Sequence, residues 1–312
     1  MQLVTISALI GALSLFSRCT AFMPGTKITT SPARCDSTLD DKKDSTLGMA
    51  SPRRDFLKSA SASAAALAFG FSVNPAPATA QYTGKVLVLG KGFVGTEVCN
   101  QLESLGIEFT ATTRDGRDGT IALDLISQEK GPTSEIETLA KGYSAVISCI
   151  GSIGTPNDEA VNAATGLAAI GAKAAGVKNF VYISVAPEVR DAAKGIAFVE
   201  KYMDGKAFSE EAIKSNFPEG YTLIEPTFIY GGDKFAVNPP RVADGYGKLV
   251  EGILSSGPFR FAASVSPGMI GVALEPPVKV KSVARAAIAG AVGVSQPVLD
   301  TYDKIKEASK LI

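Results

Sequence analysis

Two side chains with complementary proton chemistry, Tyr202 and Lys206, lie four residues apart in the sequence. Four residues along a helix place both side chains on one face, and the local pattern predicts a helix from about Ile196 to Ser215. A tyrosine hydroxyl titrates at about pH 10 in water, which is too high for proton exchange at neutral pH. A lysine cation beside the phenol would favour the phenolate and lower this pKa. The alternative is an amphipathic surface helix whose lysine snorkels into solvent.

Ser184 is the third residue of the candidate catalytic set. It ends the predicted strand Asn179–Ser184, and a hydroxyl on a strand beside the tyrosine would orient a substrate carbonyl. Gly205 directly precedes Lys206 and lowers the stability of a helix. We therefore expect another element to approach the helix closely at that point.

Three glycines with the spacing G-x-G-x-x-G lie between an apolar run and a predicted helix that includes Thr96. A strand, a glycine turn and a helix in this order form a dinucleotide-binding fingerprint. In that fingerprint Gly90 permits the tight turn, Gly92 lets the backbone approach a pyrophosphate, and Gly95 lets the helix pack closely on the strand. An ordinary β–α turn is the alternative.

The first helical turn after these glycines would hold the phosphate charge through its free N–H groups. We therefore count five consecutive motif positions as cofactor-binding: Gly90, Gly92, Phe93, Val94 and Gly95. The positive nicotinamide ring of a bound dinucleotide would add to the effect of Lys206 on the Tyr202 phenol.

Residues that follow other predicted strands complete the expected cofactor site. Arg114 ends the second predicted strand. At this position an arginine accommodates the 2′-phosphate of NADP, whereas an acidic residue would bind the ribose of NAD. Arg117 could assist Arg114 in binding the phosphate. We therefore expect NADP(H) rather than NAD(H), with a solvated turn as the alternative. Asp124 either contacts adenine or caps the next turn. Gly151 and Pro226, which follow the fourth and sixth strands, are also counted as cofactor-binding.

Strands alternate with helices through residues 85–225, which predicts a doubly wound parallel sheet of the Rossmann α/β type. The predicted strands are Lys85–Leu89, Ile107–Thr113, Thr120–Leu125, Tyr143–Cys149, Asn179–Ser184, Tyr221–Glu225, Val278–Val280 and Gln296–Tyr302. Between them we expect the helices Ser134–Ala140, Glu159–Ala175, Val242–Leu254, Lys281–Val292 and Asp303–Leu311. Residues 81–312 form the nucleotide-binding domain, and residues 233–295 form its substrate lobe, with loops through Pro276.

The composition excludes several classes of chemistry. The 312 residues include no histidine, so no Ser-His-Asp triad, Cys-His dyad or histidine metal site can form. The four cysteines, at positions 19, 35, 99 and 149, show no zinc spacing, and we expect no metal. With 31 basic and 31 acidic residues, the chain gives no indication of a nucleic-acid partner.

Residues 1–80 have the composition of a targeting leader in three parts. An apolar stretch within residues 1–21 predicts a signal peptide, and Phe22 follows it as the aromatic residue of bipartite plastid presequences. Residues 22–50 are rich in Ser and Thr, as transit segments are. Residues 51–80 carry Arg53 and Arg54 in a twin-arginine pattern. We expect a plastid protein of the thylakoid lumen, with the stroma or the mitochondrion as alternatives, and no transmembrane helix after residue 80.

Five segments together resemble the short-chain dehydrogenase/reductase superfamily over residues 84–302. They are Val88–Gly95, Tyr182–Ser184, Tyr202–Lys206, Pro226–Gly231 and Pro277–Ala284. More narrowly, they resemble the atypical branch that includes the complex I 39-kDa accessory subunit, plant plastid members and mitochondrial relatives linked to coenzyme Q synthesis.

This resemblance implies NAD(P) binding at the glycines and Arg114, proton transfer by Tyr202, and a contact between Lys206 and the nicotinamide ribose. The sequence departs from the family at Glu225, where an arginine usually precedes the proline. The stretch Val185–Lys201 also lacks a second hydroxyl near the serine.

These patterns support three hypotheses about function. The first is an NADPH-dependent oxidoreductase for a small apolar carbonyl or quinone-like compound, with a small-molecule substrate as its main partner. The second is a nucleotide-binding accessory or assembly factor of a redox or quinone-synthesis complex, associated with a membrane surface or a protein complex. The third is a nucleotide-sugar epimerase, which the short C-terminal lobe disfavours.

Overall fold

Seven short parallel strands run through the centre of the protein in the computed structural model. The structure describes residues 82–126, 132–232, 236–237, 240–241, 243–266 and 268–312. The predicted leader, residues 1–80, lies outside the described residues.

The strands are named in chain order. They are β1 (Val86–Leu89), β2 (Phe109–Thr113), β3 (Ile121–Ala122), β4 (Ala145–Ser148), β5 (Asn179–Ile183), β6 (Tyr221–Ile224), β7 (Ile229–Tyr230), β8 (Ala236–Val237), β9 (Pro240–Arg241), β10 (Val278–Lys279) and β11 (Val298–Leu299). The helices are α1 (Phe93–Ser104), α2 (Pro132–Leu139), α3 (Asp158–Ala174), α4 (Pro187–Ala192), α5 (Ala197–Asn216), α6 (Asp244–Leu254), α7 (Gly257–Val265), α8 (Gly268–Leu274), α9 (Val280–Ala291) and α10 (Tyr302–Ala308).

The central sheet has the strand order β11-β6-β5-β4-β1-β2-β3, and every pair in it is parallel. The predicted doubly wound parallel sheet is therefore confirmed. The order runs outward in opposite directions from the neighbours β1 and β4, so the topological switch point lies between them. In open α/β sheets the ligand binds at this point, beyond the carboxyl ends of the strands.

Helices cover both faces of the sheet, so its central strands are mainly apolar. Every residue of β1 and β4 is fully buried. On one face, α1 and α9 pack against the strands, with α10 beside α9. On the other face, α2, α3 and α5 cover the sheet.

The helix α9 belongs to this core, whereas the sequence placed it within the substrate lobe of residues 233–295. It is rich in alanine, and a Cβ atom built on Gly290 would lie only 2.8 Å from the side chain of Thr222 on β6. Small residues let the helix lie directly on the sheet. The substrate lobe stays a prediction, and within its predicted bounds α9 packs on the sheet.

Three helices occur where the sequence predicted loops or no regular structure. In α4 and α7 a proline occupies the first turn, where it removes no helical hydrogen bond. Proline usually indicates a loop, so the sequence did not predict these two helices. The third is α8. The edge strand β3 is shorter than the predicted Thr120–Leu125, as edge strands commonly are.

Among the described helices, none combines the length and the apolar character that crossing a membrane requires.

Candidate functional site

The glycine turn joins β1 to α1 at the switch point of the sheet. Gly90 has a φ of +87°, which favours glycine strongly. A Cβ atom on Gly95 would overlap the carbonyl oxygen of Gly90, whereas one on Gly92 would meet no atom within 4 Å. The three glycines thus have the conformations that the sequence predicted: a tight turn, an open approach for a ligand, and a close contact between helix and strand.

The amino end of α1 is built to receive an anion. Gly92 is its N-cap and supplies no side-chain cap, and the first turn carries no acidic residue. Phe93 and Val94 lie in this first turn, and the positive end of the helix would attract a pyrophosphate group. The residues present therefore fit a dinucleotide.

Cationic side chains gather where β2 ends. Arg114 follows β2 and is exposed. The Nζ atom of Lys91, from the glycine turn, donates to the carbonyl oxygen of Asp118 at 3.3 Å. Arg117 lies 3.7 Å from Asp115 in the same loop. Sequence reasoning missed Lys91, although its position inside the glycine motif was a usable signal.

Asp124 lies beyond β3 and accepts a hydrogen bond from the backbone N–H of Ile126 at 3.1 Å. The carboxylate thus caps the turn that follows, which is one of its two predicted roles. The contact with adenine stays a prediction.

Gly151 lies in the loop between β4 and α3, beside Lys206. A Cβ atom at Gly151 would come within 3.3 Å of Asn162 Oδ1 and 3.6 Å of Lys206 Nζ. The Asn162 side chain donates to the carbonyl oxygens of Ser152 at 2.8 Å and Asp158 at 2.7 Å, yet its buried Oδ1 atom has no partner among the described groups. The helix α3 therefore presents an unpartnered acceptor beside Gly151, the same residue that Lys206 approaches.

Asp158 fixes the conformation of the same loop. Its buried carboxylate accepts hydrogen bonds from the Ser152 hydroxyl at 2.7 Å and from the hydroxyl and N–H of Thr155. Burial acts to raise the pKa of Asp158, but these hydrogen bonds outweigh burial and lower it. The loop beside Lys206 is thus held by an ionised acid.

Tyr202 and Lys206 share one face of α5, as their spacing predicted. The Lys206 Nζ atom lies 5.6 Å from the centre of the Tyr202 ring and 4.5 Å from that of Tyr182. It donates to the carbonyl oxygen of Ile183 at 2.8 Å, and only 4% of the lysine is exposed. The lysine is buried, and its ammonium group binds the last residue of β5. The alternative of a snorkelling surface lysine is therefore wrong.

Gly205 permits the close approach that the sequence predicted. A Cβ atom there would lie 2.5 Å from the carbonyl oxygen of Glu159 on α3. The two helices α3 and α5 therefore pack backbone to backbone, and this contact brings Asn162 next to Lys206.

The pKa values of the pair differ from the expected pattern. Burial lowers the pKa of Lys206 to about 7, and the Glu210 carboxylate opposes that effect. Burial raises the pKa of Tyr202 above its ordinary value, and Arg190 opposes this effect only in part. The prediction that the pair lowers the tyrosine pKa is therefore wrong for the protein without nucleotide, because desolvation of the phenolate outweighs the attraction of Arg190.

Ser184 lies just past β5 and is buried, with 6% exposed. Its hydroxyl donates to Oε1 of Glu210, which the Arg190 guanidinium also holds through contacts of 2.6 and 3.1 Å. Sequence reasoning missed Glu210 and Arg190. Glu210 carried a signal, since it continues the face of Tyr202 and Lys206 by another four residues, whereas Arg190 carried none.

Glu225 and Pro226 follow β6 and are both buried. Burial, together with the nearby Glu210, raises the pKa of Glu225 to about 7. The carbonyl oxygen of Pro226 accepts from the N–H of Ala186 at 3.3 Å. Pro226 thereby links the end of β6 to the start of α4, and its contact with a cofactor stays a prediction.

No group of three His, Cys, Asp or Glu side chains in the described part of the chain has an arrangement that could hold a metal ion.

Comparison with known proteins supports a nucleotide site. A family of sequences described as NAD(P)H-binding matches residues 90–247, just over half of the chain. An uncharacterized chloroplastic protein of Arabidopsis thaliana, At1g32220, is 30% identical over 233 residues, which cover 72% of this chain and 77% of that protein.

Solved structures show a weaker likeness. The Bordetella bronchiseptica enzyme WbmH, in complex with NAD+, is 16% identical with a TM-score of 0.46, over 69% of this chain and 74% of that one. The UDP-N-acetylglucosamine 4-epimerase of Bacillus cereus is 15% identical with a TM-score of 0.44, over 73% and 81%. Because both scores are low, the fold is assigned from the strand order of this chain. By its sequence match and that strand order, the chain belongs to the NAD(P)H-binding family and has a Rossmann-type fold.

Proposed function

We propose that this protein is an NADPH-dependent oxidoreductase that acts on a small, apolar carbonyl or quinone-like compound. The observation that carries the proposal is the convergence of Tyr202, the buried Lys206 and Gly151 next to the glycine turn at the switch point. Tyr202 would donate a proton to the substrate oxygen, and its raised pKa keeps the phenol protonated at neutral pH. When bound, NADPH supplies the hydride for the carbonyl carbon.

Lys206 has two roles in this proposal. Its ammonium group would hold the nicotinamide ribose, and its charge would stabilise the phenolate that remains after proton transfer. The bond to the Ile183 carbonyl fixes the lysine at the end of β5. A lysine with a pKa near 7 can also release a proton to restore the tyrosine.

The preference for NADPH is supported by charge at the end of β2. Arg114 is exposed there, and Lys91 reaches across from the glycine turn to the same loop. A guanidinium fork matches the geometry of a 2′-phosphate. The structure shows no carboxylate bonded to Arg114 among the described residues, so its donors remain available for such a group.

An apolar substrate is supported by the lobe. Its helices expose large apolar side chains, among them Leu249 at 62% and Phe261 at 70%. Exposed apolar clusters mark sites for ligands, membranes or proteins, so association with a membrane surface or a protein complex is part of this proposal.

A nucleotide-binding accessory or assembly factor is the second candidate function. Ser184 gives its hydroxyl hydrogen to Glu210, and burial disfavours the phenolate of Tyr202, which both weigh against turnover. The resemblance to the branch of the complex I 39-kDa subunit and the coenzyme Q-linked proteins supports the same alternative.

We place the protein in the plastid, and within it in the thylakoid lumen, with the stroma or the mitochondrion as alternatives. The similarity to a chloroplastic Arabidopsis protein supports the plastid, and the twin-arginine pattern at Arg53 and Arg54 supports the lumen.

The first experiment is a fluorescence titration of the purified protein with NADPH and NADH. We expect NADPH to bind more tightly, and Arg114→Ala to weaken NADPH selectively by about tenfold, as the loss of one charge-assisted contact does. Lys178→Ala is the matched control, because Lys178 is an exposed cation at the opposite end of β5. Failure of both nucleotides to bind would refute the proposal.

A second experiment separates the two candidate functions. Tyr202→Phe removes the proton donor, whereas Gly92→Val fills the open approach for the pyrophosphate. An enzyme loses its cellular function with either change. If cells tolerate Tyr202→Phe but not Gly92→Val, the protein needs its nucleotide without chemistry, and the accessory function is correct.

A further inference from the structure

A buried polar cluster surrounds Glu210 on the helix that carries Tyr202 and Lys206. Glu210 is 5% exposed, and three donors reach its two carboxylate oxygens. The Arg190 guanidinium supplies two of them, at 2.6 and 3.1 Å, and the Ser184 hydroxyl supplies the third. The cluster therefore connects α5 to α4 and to the end of β5.

The direction of the hydrogen bond from Ser184 follows from chemistry alone. A guanidinium only donates, and its planar fork pairs with an ionised carboxylate. Glu210 therefore has no hydrogen to offer, so the hydrogen in its bond with Ser184 belongs to the serine. Ser184 has a single hydroxyl hydrogen, and in this arrangement that hydrogen points away from any substrate.

Two charges of α5 hold consecutive residues at the end of β5. The Lys206 ammonium binds the Ile183 carbonyl at 2.8 Å, and the Glu210 carboxylate binds the neighbouring Ser184 hydroxyl. Both contacts are buried, and the serine cannot turn its hydrogen toward a substrate without leaving the carboxylate short of a donor.

At Ser184 and Tyr202, the hydrogen-bonding groups that remain for a ligand are one acceptor and one donor. Ser184 Oγ has unused lone pairs, since it receives no hydrogen bond from the described residues. Tyr202 carries its proton, and no described group accepts it. A hydroxyl can donate to Ser184 and accept from Tyr202, whereas a carbonyl can only accept from Tyr202.

We propose that Glu210 and Arg190 are positioning residues that make Ser184 a hydrogen-bond acceptor, so that the site binds a hydroxyl group in preference to a carbonyl. This inference rests on the proposed function of the Tyr202 site. It specifies the substrate class as a carbonyl compound that also presents a hydroxyl to Ser184, such as a hydroxyketone. NADPH can reduce only the carbonyl, so a simple alcohol would bind as the reduced product.

The test measures the affinity of a matched pair of apolar ligands, 1-tetralol and 1-tetralone, by titration calorimetry. The protein is first saturated with the 1,4,5,6-tetrahydro analogue of NADPH, which cannot transfer hydride, so neither ligand turns over. We expect the alcohol to bind about tenfold more tightly, which corresponds to one additional hydrogen bond.

Two variants identify the cause of that preference. Ser184→Ala removes the acceptor, and the ratio of affinities should fall to about one. The double variant Glu210→Leu with Arg190→Met removes the charge pair as a unit, a change that proteins often tolerate. It frees the serine hydrogen, so the serine can donate as well as accept. The ketone should then bind more tightly than in wild type, and the affinity ratio should fall to about one.

Three outcomes would overturn the inference. Equal affinities or a preference for the ketone in the wild type refute it while the proposed function stands. A tenfold preference that persists in Ser184→Ala assigns the selectivity to another group and also refutes it. Binding of the nucleotide analogue without binding of either ligand refutes the apolar substrate class and this inference together.

Proton NMR of the unliganded protein gives a measurement that needs no ligand. A hydroxyl that donates to a buried carboxylate exchanges slowly and resonates at low field. We expect one such signal in the wild type, absent from Ser184→Ala and from the double variant. A spectrum that is identical in all three proteins would contradict the assigned hydrogen bond.

Discussion

Glu225→Gln is expected to stabilise the protein at alkaline pH and to have little effect at acidic pH. Only 5% of Glu225 is exposed, and no described side chain donates a hydrogen bond to its carboxyl group. It lines a cavity of about 40 Å³ that also borders Glu188 and Asp300. A carboxylate buried without a hydrogen-bond partner is costly to ionise.

The sign of the effect follows from the two protonation states. Burial raises the pKa of Glu225 to about 7, with Glu210 and Asp300 adding to burial, and Arg190 and Lys214 opposing it. The folded protein therefore binds more protons than the unfolded chain between the ordinary pKa of 4.5 and about 7. Stability falls as the pH rises through this window, because the folded state must then lose a proton that it holds tightly.

The magnitude follows from the same pKa. A pKa difference of this size corresponds to at most about 3 kcal/mol, and partial solvation of the carboxyl group through the adjoining cavity would reduce it to about 2 kcal/mol. For a folded domain of this size, about 2 kcal/mol of added stability raises the melting temperature by roughly 4–8 °C. Glutamine stays neutral, so the variant should melt higher than wild type by this amount at pH 8 and equal it at pH 5.

Differential scanning calorimetry at pH 5 and pH 8 measures the effect. Glu219→Gln is the matched control, since it makes the same chemical change at an exposed residue before β6 and should leave both melting temperatures unchanged. Equal stability of Glu225→Gln and wild type at pH 8 would show that the buried carboxylate is compensated, and the argument from burial would fail.

Three further predictions concern the site and its support. Gly95→Ala should destabilise the fold by several kcal/mol because its Cβ has no room, whereas Gly92→Ala should leave urea unfolding unchanged and weaken NADPH binding at least tenfold in a fluorescence titration. Asp158→Asn should lower the free energy of unfolding by about 2 kcal/mol at pH 7, and by less at pH 3, because the ionised acid holds the loop before α3. Urea unfolding measures both, and an equal decrease at the two pH values would contradict this. Tyr302→Phe should lower the free energy of unfolding by about 2 kcal/mol, because the Tyr302 hydroxyl donates to the Glu251 carboxylate at 2.7 Å. An unchanged midpoint of urea unfolding would refute that contribution.

The sequence predicted the fold and the nucleotide turn because both depend on local patterns. Apolar runs separated by helical segments are sufficient to specify a parallel sheet with covered faces. The roles of Gly90, Gly92 and Gly95 follow from backbone geometry within six residues, and the structure has the expected geometry at each. The spacing of Tyr202 and Lys206 likewise placed them together, since neighbours on one helix need no tertiary information.

Only the tertiary structure determined the electrostatics of the site. Desolvation depends on every element packed around a group, so the sequence could not show that burial outweighs Arg190 at Tyr202 or lowers the pKa of Lys206. The side-chain partner of Ser184 is Glu210 on α5, 26 residues away in the chain, and Arg190 on α4 holds that carboxylate. The sequence alone therefore determined the glycine turn between β1 and α1. The fold decided which atoms beside Tyr202 donate hydrogen and which accept it, because hydrogen-bond direction is set by neighbours that only folding brings together.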